Sequence, residues 1–241
     1  MRAILTYHSI DSSGSPISLD EGALRRHIAF LRSGKVAVVR LEELLSVPGH
    51  RDAVALTFDD GFANFESVAW PLLRFQDFPV TLFVATQRVG LDNAWGGASA
   101  RGIPTLPLLG WDALRRMQKQ GLTLGSHSRN HPRLTQFDDA TLVTELDGSI
   151  ADMERELGTR PTSFCYPYGD VDARVADAVR ARFERACTTE LAVLPSAPAP
   201  HRLPRLDAFY YRSPGRLECF GSGAFRRHLW LRATLRRLRG H

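Results

Sequence analysis

The sequence predicts an α/β fold, with a parallel sheet wound into a closed or nearly closed barrel. Three observations lead there. Apolar β-rich runs alternate with helical patterns six or seven times along the 241 residues. Repeated βα units imply parallel strands joined by right-handed crossovers. Residues 53–58 (Ala-Val-Ala-Leu-Thr-Phe) form an almost unbroken apolar run, which a strand covered on both faces requires. The length also suits a barrel slightly smaller than the ~250 residues usual for eight units.

The elements follow in order. Residues 3–7 read as the first strand. A helix follows, with Ser18 and Glu21 spaced as a capping box and Leu24, Ile28 and Leu31 on one face. After the strand at 53–58, residues 62–75 read as a helix that Pro71 should kink or restart. Residues 80–85 form the next strand, 111–120 a helix closed by Gly121, and 122–125 a short strand. The longest helical pattern, 140–157, is stopped by Gly158 and Pro161. A strand at 163–166, a helix near 171–183 and a strand at 186–189 continue the alternation. Two segments break it: a Gly- and Pro-containing loop at 90–110 carrying Trp95, and a Pro/Ala-rich stretch at 195–204. Loops this long in a compact domain are often functional.

Composition narrows the function. With 44% hydrophobic and 24% charged residues, the chain is that of an ordinary globular domain. The 31 basic and 26 acidic residues give a net charge of +5. Residues 221–241 hold six arginines (Arg226, Arg227, Arg232, Arg236, Arg237, Arg239) and no acid, leaving 25 basic against 26 acidic elsewhere. The near-neutral body argues against nucleic acid as a partner. Residues 1–7 are too short for the apolar core of a signal peptide, and no stretch of about 18 apolar residues occurs. Cys165, Cys187 and Cys219 are widely spaced, as unpaired thiols in a reducing compartment would be. A cytoplasmic location is the expectation.

Four motifs carry chemistry. Leu56-Thr57-Phe58-Asp59-Asp60-Gly61 ends an apolar strand with two adjacent carboxylates. At a buried strand end these repel unless a cation or a proton separates their roles. Gly125-Ser126-His127-Ser128-Arg129-Asn130-His131-Pro132 places two histidines four apart, so one helical turn would bring both imidazoles to one side. Two His and one carboxylate make a three-ligand metal site with an open position. Phe164-Cys165-Tyr166-Pro167-Tyr168-Gly169 is an aromatic strand end closed by a Pro–Gly turn, and Tyr7-His8 ends the first strand. The C-terminal strand ends of a parallel barrel form its active face.

Together these motifs resemble the polysaccharide deacetylase family (NodB homology, carbohydrate esterase family 4), whose signatures are Thr-Phe-Asp-Asp, His-Ser-x-x-His and Arg-x-Pro-Tyr. The resemblance spans about residues 3–206 and implies a distorted (β/α)7 barrel. It implies a divalent metal, commonly zinc, on Asp60, His127 and His131, with Asp59 as the base that activates metal-bound water. It also implies the Tyr168 backbone N–H, in the Pro167–Tyr168 turn, as oxyanion donor. Two departures stand out: Cys165 replaces the motif arginine, and the late Leu-x-His motif is absent. Both resemble the circularly permuted poly-N-acetylglucosamine deacetylase branch, in which an N-terminal Tyr-His strand supplies the acid. That acid is His8 here, with His201 a weaker rival. Arg205 is the candidate to replace the missing arginine and orient Asp59; the alternative is an ordinary surface arginine. Trp95 is either a sugar-stacking platform or a residue packing its loop onto the barrel. Arg129 reads as a solvated loop residue, and Cys165 as packing beneath the third motif.

The function so implied is metal-dependent deacetylation of an N-acetylated sugar. In the cytoplasm its substrate would be a nucleotide-sugar- or lipid-linked intermediate of O-antigen or exopolysaccharide synthesis. An amidohydrolase or deformylase of a small substrate, and a catalytically silent glycan-binding module, fit the same fold. The domain expectation is a barrel over residues 1–220 and a basic C-terminal helix over 221–241. In that helix Leu231, Leu235 and Leu238 fall at i, i+4 and i+7. They either pack it against the barrel or rest it on an anionic membrane at the inner face.

Overall fold

The computed structural model describes residues 1–95, 97 and 102–238. Its strands are β1 (Arg2–Tyr7), β2 (Ser9–Ile10), β3 (Ser18–Leu19), β4 (Ala37–Val38), β5 (Ala53–Phe58), β6 (Val80–Val84), β7 (Thr123–Ser126), β8 (Ser163–Cys165), β9 (Arg185–Leu191) and β10 (Leu203–Asp207). Its helices are α1 (Glu21–Arg32), α2 (Leu41–Leu44), α3 (Trp70–Arg74), α4 (Trp111–Lys119), α5 (Asp139–Leu157), α6 (Ala173–Arg180) and α7 (Gly223–Leu238).

Among the described residues, seven parallel strands close a barrel in the order β1, β10, β9, β8, β7, β6, β5 and back to β1. The expected (β/α)7 barrel is therefore what forms. The first strand closes it by pairing along its whole length with β5, from Arg2↔Ala53 to Tyr7↔Phe58, and with β10 at Leu5↔Leu206 and Thr6↔Asp207. The distortion lies on the other edge of β5. There β4 pairs at Ala37↔Ala53 and Val38↔Val54, whereas β6 joins only from Leu56 onward. A small parallel pair, β2 with β3, sits outside the barrel.

Alternation along the strands separates two environments. Ile4, Ala53, Ala55, Phe83, Cys165, Cys187 and Leu203, drawn from six barrel strands, share one buried cluster with Leu41 and Leu44 of α2. These are the inward-facing side chains, mostly small, with α2 as a plug at the N-terminal end of the strands. The intervening positions Ala3, Leu5, Tyr7, Val54, Leu56 and Phe58 belong to the cluster beneath the helices. Burial on both faces explains why β5 is apolar almost throughout.

Helix ends follow local chemistry. Asp138 caps α5 by accepting from Thr141 N at 2.8 Å, and Gly158 ends it in the left-handed conformation at φ 69°. Asp20, not Ser18, caps α1, accepting from Ala23 N at 2.8 Å. Ser18 instead lies in β3, where its hydroxyl donates to Asp11 Oδ2 at 2.9 Å. Residues 64–74 form the expected helical run with its restart at Pro71: a π-helical turn at Phe65–Ala69 leads directly into α3, whose first turn holds Pro71. Proline is tolerated there because its missing N–H has no intrahelical partner.

The last helix, α7, docks through Phe225, which is fully buried beside Tyr211 and Phe220, with Leu229 packed on the same core. His228 adds a ring-nitrogen hydrogen bond with Tyr210 O at 2.9 Å. Leu231, Leu235 and Leu238 do not pack the helix to the barrel, contrary to one of the two sequence readings; all three are exposed. Arg239 lies outside the described residues.

Candidate active site

The inward files lead to one end of the barrel and finish in the motif residues. Ala53, Ala55 and Thr57 on β5 continue into Asp59; Ile4 and Thr6 on β1 continue into His8; Gly125 on β7 precedes His127; Leu203 on β10 precedes Arg205. Backbone bonds lock these ends together. Asp59 N donates to Tyr7 O at 2.9 Å, His127 N to Val84 O at 2.9 Å, and Tyr166 N to Cys187 O at 3.1 Å. Gly125 permits the closeness of β6, β7 and β8: a Cβ there would lie 2.5 Å from the Phe83 ring and 2.9 Å from Ser163 Oγ.

Asp60, His127 and His131 are each buried, with one ligand-type atom apiece, all within 4.8 Å of one another. His127 Nε2 and His131 Nε2 lie 3.4 and 3.3 Å from Asp60 Oδ1. Asp60 leaves β5 with φ 72° and His131 ends its loop with φ 60°, both left-handed. The helical turn expected for the histidines is absent: His127 through His131 form an irregular loop, turned at Ser128 (φ 64°) and held by His131 N donating to Ser128 Oγ at 3.1 Å. His127 Nδ1 is 2.7 Å from the Cys165 carbonyl, to which it donates, and this bond fixes the ring with Nε2 turned toward Asp60. Asp60 Oδ1 is buried without a hydrogen-bond partner. Burial opposes charge on Asp60, but the two imidazoles outweigh it and hold its carboxyl well below the usual range. Burial pushes His131 down, toward the neutral form that ligates. An orphaned carboxylate oxygen facing two imidazole nitrogens fits a divalent cation, and the donor set suits zinc.

Asp59 is committed elsewhere. Arg205 donates from both terminal nitrogens to its two oxygens, each at 2.7 Å, and both side chains are almost fully buried. Burial raises the Asp59 carboxyl, yet this fork outweighs it and holds the pKa at about 2. Arg205 also donates to Thr188 O and Thr6 Oγ1, both at 2.9 Å, so its plane is set by β9 and β1. Cys165 is more than packing: Arg205 lies 3.1 Å from its sulfur, which in turn lies 3.6 Å from Asp59 Oδ2. Burial pushes this thiol up to about 11, so it stays protonated. Asp59, His127 and Cys165 also approach one another within 4.8 Å, but the arginine fork and the neutral thiol leave Asp60, His127 and His131 as the better ligand set. His8 Nε2 stands 3.6 Å from Asp59 Oδ2 and keeps partial solvent access. His201 is placed at the opposite end of the barrel, before β10 begins, with its ring nitrogen bonded to Phe183 O. It cannot serve this site.

Two carboxylates of α5, missed in the sequence, hold the histidine loop. Glu145 accepts from Arg129 N at 3.0 Å, Asn130 N at 2.9 Å and Asn130 Nδ2 at 2.6 Å. Asp152 accepts from Arg129 Nε at 3.1 Å, Thr86 Oγ1 at 2.8 Å and Gln87 Nε2 at 3.1 Å. Arg129 is thus a structural strut rather than a solvated residue, crossing α5 where Gly148 leaves room for it. The signal was available: Glu145 and Asp152 sit seven apart on the face of α5 that also carries Leu142, Leu146 and Ile150, where an unpaired acid would be costly.

Trp95 and Tyr168 flank the outer ligand. The Trp95 ring stacks on His131 at 4.2 Å between centroids, and Tyr168 meets His131 edge-on at 4.6 Å. Tyr168 follows Pro167 in a tight turn at φ 60°, its carbonyl accepting from Thr189 Oγ1 at 3.3 Å. Arg133 lies over the Tyr168 ring. The structure therefore brings Asp59, Asp60, His8, His127, His131, Arg205, Trp95, Pro167 and Tyr168 to one face of the barrel.

Barrel and site together define a class, that of parallel (β/α) barrels with a candidate His–His–Asp cation site at the C-terminal strand ends. The family model for polysaccharide deacetylases matches residues 46–182, and the chain belongs to that family. A chitin deacetylase of Colletotrichum lindemuthianum is 30% identical over 120 residues, 50% of this chain and 43% of that protein. A poly-β-1,6-N-acetyl-D-glucosamine N-deacetylase of Staphylococcus aureus is 24% identical over 165 residues, 63% of this chain and 54% of that protein. The chain thus spans about half the length of these curated relatives. Among solved structures, the Streptococcus pyogenes deacetylase PplD in complex with acetate superposes with a TM-score of 0.71 at 22% identity, over 85% of this chain and 91% of that one. IcaB from Ammonifex degensii gives 0.68 at 21% identity, over 85% and 90%. At these identities the likeness is one of fold.

Proposed function

We propose that the protein is a metal-dependent deacetylase that hydrolyses the N-acetyl group of an amino sugar within a surface-polysaccharide or lipid-linked glycan intermediate. The observation that carries this reading is the adjacency of two differently committed carboxylates: Asp60 facing His127 and His131 with an unpartnered oxygen, and Asp59 locked by Arg205. A divalent cation held by Asp60, His127 and His131 would supply Lewis-acid polarisation of the acyl oxygen and a more acidic water.

The chain's own residues do the rest. Asp59, kept anionic and fixed in orientation by the arginine fork, accepts the proton of the attacking water. The Tyr168 backbone N–H donates to the acyl oxygen as negative charge develops there. His8, 3.6 Å from Asp59 and partly open to solvent, gives a proton to the departing amine nitrogen as the C–N bond breaks, leaving acetate and a free amine. Trp95 and Tyr168 wall the site beside His131.

The experiment is Asp59→Asn, assayed for acetate release from N-acetylglucosamine oligomers and for zinc content. Loss of turnover by at least about 100-fold with zinc retained is expected, since a positioned base contributes roughly that much. Undiminished turnover in this variant removes Asp59 as the base. Zinc bound without hydrolysis of any acylated sugar by the wild type removes the deacetylase reading.

A further inference from the structure

On the exposed surface of α7, Trp230 is 65% exposed, Leu231 47%, Leu235 45% and Leu238 79%. At 100° per residue Trp230, Leu231 and Leu238 lie on the side of the helix turned away from Phe225 and Leu229, the residues that dock it, with Leu235 at the edge of that side. A surface helix ordinarily turns its apolar stripe inward. This one carries a second stripe outward, four large side chains on one short segment. Solvent-facing apolar patches of this kind mark an interaction surface.

Charge selects the occupant. Arg226 and Arg237 border the stripe and Arg227 lies within it, all exposed, while residues 221–238 contain no Asp or Glu. A second copy seated on the same face would bring these arginines against their counterparts with no acid in the segment to offset them. An anionic bilayer interface meets both demands: its acyl boundary receives Trp and Leu, and its headgroups pair with Arg.

We infer that α7 rests in the plane of an anionic membrane surface and seats the protein there. The helix also has a defined relation to the catalytic face. Ala233, Arg236 and Arg237 line a pocket of about 170 Å³ against Thr189, Glu190 and Leu191 of β9. Thr189 is the residue that bonds the Tyr168 carbonyl. Docking through α7 therefore sets the bilayer beside the rim of the site, where a substrate carried on a lipid is reached. No helix among the described residues is long and apolar enough to cross a membrane, so the contact is one of lying on the surface.

The test is co-sedimentation of the full chain with phosphatidylcholine vesicles, with and without about 30% phosphatidylglycerol, at low and high salt. The wild type is expected to bind the anionic vesicles, with salt weakening the binding. Trp230→Ser/Leu235→Ser and Arg226→Gln/Arg227→Gln/Arg237→Gln should each reduce it by at least about tenfold. Circular dichroism confirms that each variant is folded. Equal binding by wild type and both variants overturns the inference, as does wild type that stays in the supernatant. Self-association abolished by Trp230→Ser/Leu235→Ser, with no vesicle binding, assigns the stripe to a second copy instead. The readout needs no catalysis, so it stands or falls separately from the deacetylase reading.

Discussion

Replacing Arg205 with methionine isolates the strongest electrostatic device in the barrel. In the wild type the Asp59 carboxyl is drawn from 3.8 to about 2, nearly two units, despite complete burial. At 1.36 kcal/mol per unit the net of burial and pairing at Asp59 contributes roughly 2 kcal/mol at neutral pH. The folded-state value lies below the unfolded one, so that contribution is complete above about pH 4 and lost as pH falls toward 2. In Arg205→Met the fork is gone, and burial dominates over the weaker pull of His8 and His127 on Asp59. Its carboxyl then rises above the unfolded value, and the folded state is penalised as pH climbs through it. Removing one partner of a buried pair costs about 3–5 kcal/mol, which lowers Tm by roughly 6–20 °C in a chain of this size. Thermal unfolding followed by circular dichroism between pH 4 and 8 reads both effects. The gap between wild type and variant should narrow on acidification from pH 7 to 4. The double variant Asp59→Asn/Arg205→Met should recover much of the loss, because neither charge is then left unpaired. A loss below about 1 kcal/mol, or a gap that does not change with pH, would refute the view that the fork governs Asp59.

Two further substitutions probe how the site is held. Gly125→Ala forces a methyl to 2.5 Å from the Phe83 ring, inside a strand with no freedom to move aside. A loss of about 3 kcal/mol in chemical denaturation is expected, and a near-neutral variant would show that β6 and β8 are not close-packed across Gly125. Glu145→Ala releases the Arg129 and Asn130 amides and should loosen His131 more than it unfolds the barrel. Zinc affinity by competitive titration should fall about 10–100-fold, as for other groups that orient metal ligands. An unchanged affinity would make Glu145 a fold residue only.

Most of the barrel was legible because parallel strands buried on both faces must be apolar and their connections must be helices. The run at 53–58 matches β5 residue for residue, and the Gly158 stop is the αL cap of α5. Misreadings occurred where local chemistry offers two solutions. Ser18 and Asp20 can both cap, and only the pairing of β3 with β2 removes Ser18 from competition. The short strands β2, β3 and β4 carry too few residues to show a period. Leu231, Leu235 and Leu238 form a stripe that fits burial or exposure equally, and Phe225 decides for exposure by taking the docking role.

The sequence by itself determined the chemical inventory: an acid pair ending one strand, two histidines after another, a histidine ending the first, and the family to which they belong. Strand ends carry these groups because the backbone delivers inward-facing residues to one rim, a consequence of period-two alternation in a closed parallel sheet. The tertiary structure alone decided how the charges are assigned. Asp59 and Arg205 are 146 positions apart, and nothing local distinguishes Arg205 from an arginine at the surface. Only barrel closure through β1 brings β5 and β10 to opposite sides of one strand and pairs the two charges out of water. The same closure strands one oxygen of Asp60 against two imidazoles. The division of two adjacent carboxylates, one facing the arginine and one facing the two imidazoles, is thus a property of the closed barrel.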